Sequence, residues 1–186
     1  MLNEVLDTFY LLNIQGLYPK SNQTKLGYLS DLTAQNNPLF LAITETHLKE
    51  EYDAEISIDN YTILRSDRST RKGGGVALFI RSDVLYDHAR TVRFSDAVNE
   101  LLITTLVNEK LIIILLYRPP DEIENNPLKF NIIFNMIKDY VKDRQEDVLL
   151  MGDFIFSKII WETSTLGGRT ANEKAQGEIL LNFISE

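Results

Sequence analysis

Two stretches of this 186-residue chain restrict its architecture more than anything else in it. Leu111 to Leu116 is six aliphatic residues in a row, and Leu39 to Ile43 is five apolar ones. Successive side chains of a strand point to opposite faces, so an unbroken apolar strand needs cover on both sides. Both runs fall far short of the roughly 20 residues needed to span a bilayer. Buried sheets with helices packed outside them meet the requirement.

The rest of the pattern fills in that scheme. Strands are expected at Phe9 to Ile14, Leu39 to Ile43, Tyr61 to Arg65, Val76 to Ile80, Leu101 to Val107, Lys110 to Tyr117 and Val148 to Met151. Asn108-Glu109 reads as the tight turn of a hairpin, so the sheets are at least partly antiparallel. Helices are expected from Ser21 to Asn36, over Phe130, Ile133, Phe134, Ile137 and Val141, and over Ala171, Ala175, Ile179, Leu180 and Phe183. No repeat or low-complexity linker divides the chain, and residues 1–186 read as one domain.

Composition removes several function classes. Hydrophobic content of 44% and charged content of 25% are ordinary for a folded protein. With no cysteine there is no disulfide scaffold, cysteine nucleophile or thiolate metal site. A net charge of −8 argues against a uniformly basic nucleic-acid coat. Met1-Leu2-Asn3-Glu4 lacks the basic and apolar regions of a signal peptide. An intracellular protein, nuclear or cytoplasmic, with no membrane partner is the expectation.

Four apolar runs end, at their carboxyl ends, in residues suited to chemistry: Asn13, then Thr44-Glu45-Thr46-His47, then Tyr117-Arg118, then Gly152-Asp153. Any single run carries little weight, because strands must end in something polar. Four together point to one rim, where α/β sheets commonly bind ligands. Glu45 and Asp153 are hard oxygen donors of the kind that hold Mg²⁺ with substrate phosphate and water. Such an ion stabilises charge on phosphoryl oxygens, and a second carboxylate activates or orients water. Zinc is disfavoured, since only His47 and His88 are available.

Arg65, Arg68, Arg71, Lys72 and Arg81 form the one strong basic cluster in an acidic chain. It reads either as a solvated hairpin tip or as a contact for a nucleic-acid backbone. Gly73-Gly74-Gly75 is no phosphate-binding loop, because no Gly-Lys-Ser/Thr follows and it opens a strand. No Gly-x-Ser-x-Gly elbow supports serine catalysis.

Taken in order, Leu12-Asn13-Ile14-Gln15-Gly16-Leu17, Thr44-Glu45-Thr46-His47-Leu48, Gly73-Gly74-Gly75-Val76-Ala77, Leu116-Tyr117-Arg118-Pro119-Pro120 and Leu150-Met151-Gly152-Asp153-Phe154 resemble the endonuclease/exonuclease/phosphatase superfamily. Trp161 extends the likeness to the apurinic-type endonuclease domain of non-LTR retrotransposons of the jockey and LINE kind. The resemblance implies a four-layer α/β sandwich of two mainly antiparallel sheets with outer helices. It also implies hydrolysis of a DNA phosphodiester with Mg²⁺ or Mn²⁺, and a reverse transcriptase fused in the full-length element. By motif match Glu45 is the metal ligand, with Asn13 supporting the metal site. Tyr117 bonds near the scissile phosphate and Asp153 activates water. His47 and Glu100 support these groups.

Two departures weaken the implied activity. The family's Gly-Asp-Phe-Asn reads Gly152-Asp153-Phe154-Ile155 here, and isoleucine has no hydrogen-bonding group. The family's closing Ser-Asp-His does not occur, and no histidine follows His88. The expectation is therefore a C-terminally truncated, catalytically impaired endonuclease domain. The alternatives are a non-catalytic nucleic-acid-binding remnant, or another phosphodiesterase or phosphatase of the same superfamily.

Overall fold

A computed structural model describes residues 8–17, 24–49, 56–68, 73–96, 99–119, 127–153, 159–160, 165–166 and 171–185. Arg71, Lys72, Pro120, Phe154, Ile155, Trp161 and the expected first turn at Ser21 lie outside them.

The fold is an α/β sandwich of two four-stranded mixed sheets flanked by helices. The first sheet holds β1 (Phe9–Asn13), β2 (Phe40–Thr44), β3 (Tyr61–Ser66) and β4 (Val76–Arg81), in the order β1-β2-β4-β3. The second holds β5 (Val92–Ser95), β6 (Glu100–Leu106), β7 (Leu111–Tyr117) and β8 (Asp147–Asp153), in that order. Each sheet has one parallel pairing, β1 with β2 and β7 with β8, and two antiparallel ones. A short antiparallel pair, β9 (Ile159–Ile160) and β10 (Thr165–Leu166), stands apart from both sheets.

The doubly apolar runs are covered as their composition demands. Phe40, Ala42, Leu78 and Ile80 of the first sheet meet Leu102, Ile113, Leu115 and Met151 of the second in the central core. The alternate residues of the second sheet, Leu101, Ile103, Ile112, Ile114 and Leu116, pack on α2 (Pro127–Val141) and on Leu180 of α3 (Ala171–Ser185). Leu41, Ile43, Ala77 and Phe79 turn the other way, onto Leu29 of α1 (Thr24–Asn36). Helix, sheet, sheet and helices thus make four layers.

Local chemistry sets the ends of the elements. Pro127 opens α2 at a first-turn position, where its missing N–H costs nothing. Asn37 stops α1 in the left-handed region, φ 44°, with its N–H on Thr33 O at 2.8 Å. The β6–β7 connection is wider than Asn108-Glu109 alone: Val107 to Lys110 forms the turn and Leu106 pairs with Leu111. β5 carries a period-2 alternation, Val92 and Phe94 toward the helices and Arg93 exposed, that the strand assignments above do not include.

Candidate active site

The two parallel pairings bring four strand ends to one rim. Asn13 is registered with Thr44, and Tyr117 with both Asp153 and Glu100. Glu45 follows β2 directly, and its φ of 54° turns the chain out of the sheet. Its backbone carbonyl accepts from Gly16 N at 2.7 Å, which ties the turn to the loop after β1.

The Glu45 carboxylate is the hub. Its Oε1 accepts from Asn13 Nδ2 and from the Tyr117 hydroxyl, each at 3.1 Å. Its Oε2 lies 3.8 Å from His47 Nε2. Asn13 Nδ2 also donates to Asp153 Oδ2 at 2.8 Å, so one amide joins the carboxylates of the two sheets. Burial first, then the neighbouring Glu45 charge, pushes the Tyr117 phenol well above its ordinary range. It therefore stays protonated and able to donate across the physiological range.

Glu100 lies behind this rim and is fully buried. The Arg68 guanidinium spans its carboxylate, Nε to Oε1 and Nη2 to Oε2, the latter at 2.9 Å. Burial pushes the Glu100 carboxyl up, and Arg68 opposes the shift. The same guanidinium sits 5.7 Å from the centre of the Tyr117 ring, within cation–π range.

The described members of the basic cluster, Arg65, Arg68 and Arg81, do not form a single surface. Arg68 is 7% exposed and its guanidinium is bonded to Glu100, so this member of the cluster is turned inward. Arg81 pairs in register with Tyr61, at the opposite end of the β3–β4 ladder from Arg65, and its Nε donates to Asp83 at 2.7 Å. Arg65 bonds Asp67 at 2.8 Å and the Lys49 carbonyl at 2.9 Å. β3 and β4 lie side by side and antiparallel, so Arg65 stands near the turn and Arg81 at the far end of the ladder. His88 is also remote from the rim: it follows Tyr86, which bridges to Leu106 at the far end of β6.

Arg118, noted in the sequence only as the residue beside Tyr117, has a partner that the sequence did not single out, Gln176. Arg118 is buried, its Nε donates to Gln176 Oε1 of α3 at 2.9 Å, and its backbone N–H donates to Asp153 O at 2.9 Å.

The donor set suits a small hard cation. Glu45 and Asp153 present carboxylate oxygens, and the Asn13 amide nitrogen donates to both. Among the described residues no group of three or more His, Asp or Glu forms a full protein cage. An ion of the Mg²⁺ type needs no such cage, because one or two carboxylates plus water and phosphate oxygens complete its shell. Among the described residues no helix is long and apolar enough to cross a membrane.

A model of the Endonuclease/Exonuclease/phosphatase family matches residues 11–154, a span that contains every residue of the cluster. No curated protein matches the sequence significantly. Solved structures do. The 3′-phosphatase NExo from Neisseria, bound to a product DNA hairpin, aligns at TM-score 0.64 and 15% identity, covering 94% of this chain and 69% of that one. The AP endonuclease LMAP of Leishmania major aligns at TM-score 0.57 and 13% identity, over 94% and 65%. Truncated Caenorhabditis elegans TDP2 aligns at TM-score 0.52 and 12% identity, over 78% of this chain. This chain spans 59% of that TDP2 and 45% of a longer form. At such identities the likeness is one of fold.

Proposed function

The chain belongs to the Endonuclease/Exonuclease/phosphatase family, and from that membership we propose that its rim hydrolyses DNA phosphodiesters with a bound Mg²⁺ or Mn²⁺ ion. The observation that carries this reading is the Asn13 amide shared between Glu45 and Asp153, with the Tyr117 hydroxyl on the same Glu45 oxygen. Two carboxylates and two hydrogen-bonding groups converge there from both sheets. The NExo structure with its product DNA makes DNA the first substrate to test.

In this reading Glu45 holds the ion, which when bound supplies positive charge to the phosphoryl oxygens. Tyr117, kept protonated, donates to a non-bridging oxygen of the substrate. As the water oxygen bonds to phosphorus and the P–O bond to the sugar oxygen breaks, Asp153 accepts the water's proton and solvent protonates the leaving oxygen, while Asn13 keeps the two carboxylates in a fixed relation. Ile155 stands where the motif carries asparagine and offers no donor. Loss of one preorganised donor lowers turnover by about two to three orders of magnitude. Slow turnover is therefore the expected state of these residues.

The test is supercoiled plasmid with purified protein and Mg²⁺ or Mn²⁺. Slow, metal-dependent nicking that disappears in Glu45→Ala is expected. Nicking unchanged in Glu45→Ala, or no metal binding at all by calorimetry, overturns the assignment. A panel of sugar and inositol phosphates in parallel separates a DNA enzyme from a phosphatase of the same family.

The finer reading is the endonuclease of a non-LTR retrotransposon. Its support is the pair of motifs Thr44-Glu45-Thr46-His47-Leu48 and Leu116-Tyr117-Arg118-Pro119-Pro120. The coding DNA beyond Glu186 tests it: a frame that continues into a reverse transcriptase upholds it, and a frame that continues into an unrelated domain overturns it.

A further inference from the structure

The Glu45–His47 turn has an unusual backbone. Glu45 and His47 both lie in the left-handed region, at φ 54° and 53°, although neither is glycine. Conformations of this kind persist when the surroundings over-determine them. On one side the turn is gripped by the loop after β1, through Gly16 N on Glu45 O and Leu17 N on Thr46 O, each at 2.7 Å. On the other side Thr46 N donates to Gly75 O at 3.2 Å and His47 N to Gly74 O at 2.9 Å. The glycine turn is thus one jaw of the grip on the residue that bears the hub carboxylate.

That jaw has its own anchor in the opposite sheet. Gly75 N donates to Glu100 Oε2 at 3.2 Å, and the same carboxylate is held by Arg68. A Cβ at Gly74 would lie 2.5 Å from Arg68 Cζ, so the guanidinium is packed directly against the turn. Glu100 is the first residue of β6 and faces Tyr117 in register. Glu100 and Arg68 therefore touch both partners of the hub: the glycine jaw by hydrogen bond and contact, and the Tyr117 ring by the guanidinium face.

We propose that the buried Arg68–Glu100 pair is a positioning device: it locks the Gly74–Gly75 turn, which fixes the Glu45–His47 turn and so the direction of the Glu45 carboxylate. Its consequence for metal binding rests on the reading of Glu45 as the metal ligand. Arg68 and Glu100 do not touch the reacting atoms. They act through Gly75, Thr46 and His47, as partners behind a metal ligand commonly do.

The experiment uses the whole chain and two variants. Glu100→Gln keeps shape and loses the charge. Arg68→Met with Glu100→Gln removes both charges and leaves neither unpaired, which keeps a folded protein in hand if the single change unfolds it. Amide hydrogen exchange at Thr46 and His47 and Mn²⁺ affinity by calorimetry are read on each, with the unfolding midpoint as the control. Faster exchange at Thr46 and His47, and Mn²⁺ affinity weaker by about 10- to 100-fold, are expected in a folded variant. Unchanged protection at both amides overturns the positioning role, whatever the metal does. Lost protection in a protein whose parent binds no Mn²⁺ upholds the positioning role and refutes the metal reading instead. A purely structural pair would lower the midpoint and leave the exchange at these amides and the Mn²⁺ affinity in step with the rest of the molecule.

Discussion

At the scale of the residue, the site depends on atoms that admit no substitute. Gly152 precedes Asp153 on β8 with φ 145°, and a Cβ there would fall 1.8 Å from the Leu116 carbonyl oxygen. That oxygen belongs to the backbone of β7, so relief means parting the β7–β8 ladder beside Tyr117 and Asp153. Gly152→Ala is expected to destabilise the fold by about 1–3 kcal/mol, read by urea unfolding, and to break the Asn13–Asp153 bond, read by a lower metal affinity. An unfolding midpoint equal to the parent's would show that the strands yield freely at this point. Tyr117→Phe asks the opposite question, because it removes a hydroxyl and leaves the ring against Arg68. Nicking is expected to fall about 100-fold while stability changes by less than about 1.5 kcal/mol. The phenol's upward shift also means that the pH–rate profile has no limb from Tyr117 below its ordinary titration range.

At the scale of the element, the sequence was most legible where burial was most complete. β2, β4, β6 and β7 are buried along nearly their whole length, and each lies within a residue or so of where its run placed it. The convergence of Asn13, Glu45, Tyr117 and Asp153 was legible for a related reason: each falls within two residues of the end of an apolar run, and parallel pairing puts those ends on one side. Half-buried elements were harder. β5 signals itself by four residues alone, and its Arg93 and Ser95 dilute the apolar pattern. The Arg68–Glu100 pair was illegible because its partners are 32 positions apart and on different sheets. The described members of the basic cluster show the same limit: Arg65 and Arg81 share a stretch of sequence but stand at opposite ends of the β3–β4 ladder.

A polar connection of another kind precedes β8. Arg144, which sits over the Tyr140 ring at 4.8 Å, bonds Glu146 Oε1 at 2.9 Å and reaches Thr105 of β6 at 3.2 Å. The Arg144 hydrogen bond, with backbone N–H donors beside it, holds the Glu146 carboxyl down to about 2. A depressed folded-state value means that the bond's contribution is present above the ordinary carboxylate range and is lost as pH falls through about 2. An NMR titration of the Glu146 side chain is expected to show that low midpoint, and Arg144→Ala to return it to the ordinary range. A normal midpoint in the parent protein would mean that the pair is open in solution.

At the scale of the whole molecule, the proposed metal site would be a property of the sandwich rather than of either sheet. Glu45 belongs to the first sheet and Tyr117 and Asp153 to the second, so unfolding scatters the donors. A ligand that binds the folded state alone stabilises it by mass action, by about 2.7 kcal/mol at 100 times its dissociation constant. For a chain of this length each kcal/mol moves the midpoint by roughly 2–4 °C. Saturating Mn²⁺ is therefore expected to raise the melting temperature by roughly 5–10 °C, and a chelator to remove the whole gain. Glu45→Ala should abolish the shift, because it deletes the hub carboxylate, and Asp153→Ala should reduce it. Arg81→Ala, at the far end of the β3–β4 ladder, should leave it intact. A shift of equal size in the parent and in Glu45→Ala would place the bound ion elsewhere on this acidic chain, whose net charge of −8 offers many weak carboxylate sites. The comparison of those variants separates a built site from diffuse attraction, since diffuse binding weakens with added salt and follows no single residue.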